Sequence, residues 1–142
     1  MDFYVLVATS SLLIQLVVLV LLVTGYGLKR QNKFRKHGFL MFTAVVLHVT
    51  TVLLIMVPSF SVIAFTPTGL SLMIILLAVV HAIFGITTLT LGIWIVASWR
   101  LRKSIQYCAP KKLVMRTTFV LWVITITIGI ILYFSLYMPL MT

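Results

Sequence analysis

Glutamate is absent from this sequence, and its only acidic residue is Asp2. Paired-carboxylate acid–base chemistry is therefore excluded within the chain. No Asp or Glu is available for the intramembrane relays on which proton-coupled carriers usually depend. Cysteine is nearly absent too. Cys108 stands alone, so neither an internal disulfide framework nor a cysteine metal site can form, and it reads as an ordinary reduced thiol. Proline is confined to Pro58, Pro67, Pro110 and Pro139. These positions fall outside the long apolar runs, where helices stay regular. No phosphate-cradling loop is recognisable, nor any Ser-His or Cys-His spacing typical of a nucleophile. Independent catalysis is not expected.

What the chain has in abundance is apolar length. Of its 142 residues, 63% are hydrophobic and 8% are charged, far too little polar surface for a soluble domain of this size. Apolar runs of 18 or more residues are candidate membrane-spanning helices. The chain contains four, at about 3–28, 38–57, 70–99 and 113–138. The first lacks a basic leader region and is long, so it reads as a span rather than a cleaved signal peptide. The expected fold is all-α: one integral-membrane domain over 1–142, an antiparallel up-down four-helix bundle with short loops.

The net charge of +10 does not signal nucleic acid, because of where the cations sit. Five lie between Lys29 and Lys36 and six between Arg100 and Arg116. Basic clusters flanking apolar spans mark cytoplasmic loops. The loops 29–37 and 100–112 are thus expected inside, and both termini outside. Phe3, Tyr4, Tyr133 and Tyr137 then belong to the outer aromatic belt, and Tyr26, Trp94, Trp99 and Tyr107 to the inner one. With no acid on the inner side, Lys29, Arg30, Lys33, Arg35, Lys36, Arg100, Arg102 and Lys103 are expected to meet anionic lipid headgroups or acidic partner surfaces. The expected location is a cell membrane, with a prokaryotic plasma membrane favoured.

Polar side chains inside a bilayer are costly and are the first candidates for function. Counting along each span at ~1.5 Å per residue places Gln15, His48, His81 and Thr125 near the midplane, one per helix. Helical spacing gives each an inward stripe. On span one Ser11 pairs with Gln15. On span two the stripe is His37, Met41, Ala44, His48 and Thr51. On span three it is His81, Gly85, Thr88 and Gly92, and on span four Thr118, Trp122, Thr125, Gly129 and Tyr133. Two readings of the layer remain open. In one, His48 and His81 hydrogen-bond within it and hold the helices in register, with no cofactor. In the other, the two imidazoles ligate one haem b or another metal. A separate copper reading rests on the thioethers of Met56, Met73, Met138 and Met141, all toward the outer face. Methionine is also an ordinary filler of helix interfaces.

Three segments carry a resemblance: RKHGFLMFTAVVLHV (Arg35–Val49), VVHAIFGITTLTLGIWIVASWRLRKS (Val79–Ser104) and KKLVMRTTFVLWVITITIGIILYFSLYM (Lys111–Met138). Their order resembles the YozB-like family of small four-helix membrane proteins and covers most of the last three spans. Members of that family usually open the fourth helix with a histidine, where Lys111 and Lys112 stand here. The resemblance implies an association with haem–copper oxidase assembly. The combined expectation is a non-catalytic accessory subunit or assembly factor of a larger membrane oxidoreductase, either a respiratory oxidase or a copper-dependent membrane monooxygenase. Its partners would be other integral membrane subunits. The alternatives are a small bis-histidine b-type cytochrome and an outer-face copper donor.

Overall fold

The protein is described here by a computed structural model covering residues 3–65, 69–99 and 111–137. Arg100, Arg102, Lys103, Tyr107, Cys108, Pro110, Met138 and Met141 lie outside the described residues, as does the loop 100–110. Among the described residues the chain is helical, without strands. Helix α1 spans Phe3–Arg30 and α2 spans Phe34–Thr51. A π-helical turn, Val52–Met56, joins α2 to α3, Val57–Phe65. Helix α4 spans Leu72–Trp99 and α5 spans Lys112–Tyr137. Four stretches are long and apolar enough to cross a membrane: Val5–Arg30, Phe34–Ser61, Leu72–Trp99 and Lys112–Tyr137. This is an all-α, multi-pass membrane protein.

The α1–α2 connection is short because α1 ends on a stop signal. Asn32 takes a left-handed backbone, φ 59°, a conformation that asparagine tolerates better than most residues. The Lys33 N–H then bonds the Leu28 carbonyl at 3.0 Å, and the Asn32 N–H bonds that of Lys29 at 3.1 Å. This pair of bonds is a Schellman motif, which satisfies carbonyls left free at a helix C-terminus. At the far side of the second connection, Ser71 opens α4, its hydroxyl accepting from the Ile74 N–H at 3.4 Å.

Span two runs past its expected end at Val57. Helix continues through Pro58 to Phe65, so Pro58 is not in a loop. Proline has no N–H to donate, and its ring crowds the carbonyl four residues back, here that of Leu54. The π-turn accommodates this: the Val57 N–H bonds the Val52 carbonyl, five residues back, in the wider ring of a π-bulge. Pro58→Ala removes the cause. The expected outcome is relaxation of Val52–Met56 to α-helix, with slower amide hydrogen exchange over 52–58. Unchanged exchange would assign the π-turn to packing instead.

The helices form two closely packed hairpins, α1 with α2 and α4 with α5. The hairpins meet along a thinner seam, where α2 touches α4 and α1 touches α5. Val18, Leu22, Ala44, Val45, Trp122 and Ile126 form the apolar part of the core. Most other large apolar side chains face outward, as expected of helices solvated by lipid. Close approach is set by glycine at two points. A side chain at Gly25 would collide with the Met41 methyl, and one at Gly38 with the Trp99 ring. The exposed threonines Thr24, Thr50, Thr87, Thr90, Thr117 and Thr127 each donate to their own helix, to the carbonyl four residues back. Their hydroxyls therefore face lipid already satisfied.

Candidate functional site

Gln15 and His48 lie on the first hairpin, and His81 and Thr125 on the second. Helix α1 turns Gln15 inward together with Val18 and Leu22, one and two turns further along. All three are buried, at 6%, 0% and 3% exposure. Helix α2 brings His48, 1% exposed, between Ala44 and Thr51, both also buried. The His48 Nδ1 lies 3.1 Å from the Gln15 Oε1. An amide oxygen only accepts, so Nδ1 carries the hydrogen and donates, and Nε2 is left with a bare lone pair. This bond lies within the first hairpin.

The second hairpin repeats the arrangement with hydroxyls. Thr125 donates to the Leu121 carbonyl at 2.8 Å. That commits its hydrogen, so Thr88 donates to the Thr125 Oγ1 across 3.4 Å. Both threonines are buried. His81 is half-buried beside them, and its place depends on Gly129. A Cβ on Gly129 would stand 2.9 Å from the His81 Cε1, closer than real side chains approach. The hairpins touch each other through Trp122, whose ring centre is 4.9 Å from that of His48 and tilted by 52°.

Four buried polar atoms of the seam have no partner: the Gln15 Nε2, the His48 Nε2, the His81 Nδ1 and the Trp122 Nε1. Two of these, the Gln15 amide and the Trp122 indole, can only donate. Among these central groups the hydrogen bonds that form, Gln15 with His48 and Thr88 with Thr125, each lie within one hairpin.

Two further polar ties flank the seam. Toward the basic end, the His37 Nδ1 donates to the Gly25 main-chain carbonyl across 2.7 Å. At the other end, the Thr9 and Tyr133 hydroxyls are 2.8 Å apart, which joins α1 to α5. Of the stripes read from helical spacing, His37, Ala44, His48, Thr51, Thr88, Gly92, Thr118, Trp122 and Thr125, with Gln15, are buried, and Ser11, Met41, His81, Gly85, Gly129 and Tyr133 are half-buried. Helical spacing places His37 on its stripe but gives it no partner. A carbonyl acceptor on another helix leaves no mark in a sequence.

The haem reading requires His48 and His81 to face one iron. On α5 their contacts are the Trp122 ring and Gly129, and the two imidazoles are close enough to interact electrostatically. Their nitrogens without a partner are the His48 Nε2 and the His81 Nδ1.

The copper candidates stand apart in character. Met56 is half-buried on the π-turn, and Met73 is 79% exposed on the first turn of α4. Among the described residues no three His, Cys, Asp or Glu side chains cluster as metal ligands.

The basic residues gather at one end. The Lys29 ammonium, at the close of α1, reaches the Met115 sulfur at the opening of α5, 3.8 Å away. The 29–36 and 111–116 cations therefore share a face of the bundle. Lys111 sits over the Trp94 ring at 5.0 Å, a cation–π contact. Lys33 donates to the Gln31 side chain at 2.9 Å. No Asp or Glu occurs among the described residues. No protein-family profile, curated protein or solved structure matches the chain.

Proposed function

We propose that this chain is a non-catalytic accessory subunit or assembly factor of a larger membrane oxidoreductase, a respiratory oxidase or a copper-dependent membrane monooxygenase. The observation that carries the reading is the use of the buried polar groups. Gln15 with His48, Thr88 with Thr125, His37 with Gly25 and Thr9 with Tyr133 each tie one helix to another. Such bonds confer register on helices that lipid cannot sort by hydrophobicity. The acid–base pairs of an enzyme are missing from the sequence. The oxidoreductase part of the proposal leans on the YozB-like resemblance of spans two to four. In this reading the lipid-facing sides of the spans, α4 above all, are where partner subunits pack. The basic end faces the cytoplasm of a prokaryotic cell.

The test is mild-detergent extraction from native membranes, followed by native-gel mass spectrometry and an absorption spectrum of the same band. Co-migration with catalytic subunits at fixed stoichiometry, with no haem belonging to this chain, is the expected result. A small band with a Soret peak lost in His48→Ala or His81→Ala would replace the proposal by the b-type cytochrome. Copper that follows the chain and is lost in Met56→Leu/Met73→Leu would replace it by the donor.

A further inference from the structure

The start of α2 carries two cations directly above two apolar residues. Arg35 and Lys36 occupy its first turn, and Phe39 and Leu40 lie one turn on, so each cation stands over an apolar neighbour at the i, i+4 spacing of a common face. With Leu28 of α1 they line an open groove of about 520 Å³. The opposite side of the same turn faces the protein: His37 is bonded to the Gly25 carbonyl, and Gly38 is packed under Trp99. The helical turn that carries the groove is therefore held from behind.

Charge decides what suits it. Helix α2 has no acid in its first turn and no side-chain cap, so Arg35 and Lys36 face the positive end of the helix dipole. No acid elsewhere among the described residues can offset them. An anion placed here neutralises two side chains and the helix end together. Phe39, 64% exposed, lies about one helical turn, ~5.4 Å, deeper along the span. That is the order of a lipid seen from the water: phosphate first, hydrocarbon next. We propose that this groove binds one anionic phospholipid, its phosphate between Arg35 and Lys36 and an acyl chain along Leu28, Phe39 and Leu40. The site is independent of which complex the chain serves.

The experiment is native mass spectrometry of the detergent-purified full chain with added phosphatidylglycerol or phosphatidylcholine. One phosphatidylglycerol per chain is expected to bind in preference to phosphatidylcholine. Arg35→Gln/Lys36→Gln is expected to weaken it by roughly tenfold or more, from the ~1 kcal/mol that each basic residue contributes near anionic lipid. Lys112→Gln/Arg116→Gln removes equal charge from the same end of the other hairpin and is expected to leave binding nearly unchanged. Equal losses from the two double variants would overturn the proposal in favour of a diffuse basic field, and so would absence of any lipid preference. As a second readout, Phe39→Trp introduces a fluorophore in the groove. Its emission is expected to be quenched by phosphatidylglycerol brominated on its acyl chains, and to lose that quenching when Arg35 and Lys36 are also replaced.

Discussion

His48→Leu is expected to destabilise the bundle by about 2 kcal/mol, and the same change made together with Gln15→Leu by much less. Leucine keeps most of the volume between Ala44 and Trp122, so little of the loss comes from packing. The loss comes from Gln15. Its Oε1 accepts from the His48 Nδ1, and its Nε2 already has no partner. Removing the histidine strands the whole amide in a site 6% exposed. Leaving a buried polar group unsatisfied costs ~1–3 kcal/mol, whereas replacing both partners by apolar groups is close to neutral. Reversible unfolding in mixed micelles, followed by far-UV circular dichroism, measures His48→Leu, Gln15→Leu and the double variant. If the double variant loses as much as the sum of the singles, the two residues are not mainly each other's partners. The pair would then serve a bound group that needs both.

Gly38→Val is expected to cost about 3 kcal/mol, the upper end of overpacking penalties in a well-packed interior. A side chain at this position runs into the six-membered ring of Trp99 rather than the end of a flexible chain. An indole cannot yield by rotating one terminal bond, so α2 and α4 must separate where they meet. Valine is a somewhat better helix former than glycine, and that gain acts against the cost without cancelling it. The check is an apparent melting temperature in detergent for Gly38→Val and for Gly38→Val/Trp99→Leu. Recovery in the double variant is expected, because leucine vacates the ring's volume. A Gly38→Val protein as stable as the parent would show that Trp99 has another low-energy position.

The parts of this fold that a sequence can express are those that depend on one helix at a time. Four apolar runs and the polar stripe along each are of that kind, and Thr88 and Thr125 were placed by spacing alone. Val18, Leu22 and Ile126 were not distinguished as core, because in a membrane helix an inward aliphatic residue and a lipid-facing one are the same residue type. The glycines at 25 and 38 carry no mark in the sequence for a related reason: their role is set by Met41 and Trp99 on other helices. Pro58 was read as a boundary by a rule that holds in straight α-helix and is relaxed by a π-turn. The spacing rules put His48 and His81 at one depth. The basic end was legible in outline, but the groove beside Arg35 and Lys36 exists only once α1 supplies Leu28.

The way hydrogen bonds are divided between the hairpins bears on how the chain is made. A ribosome delivers α1 and α2 to the membrane before α4 and α5 have been synthesised. At that moment Gln15 and His48 can already satisfy each other, as His37 and the Gly25 carbonyl can, so the first half is able to wait in lipid without exposing its most costly groups singly. The second half arrives with its own Thr88–Thr125 pair. Assembly of the two halves then adds what neither makes alone, the Thr9–Tyr133 bond and the contact of the His48 and Trp122 rings.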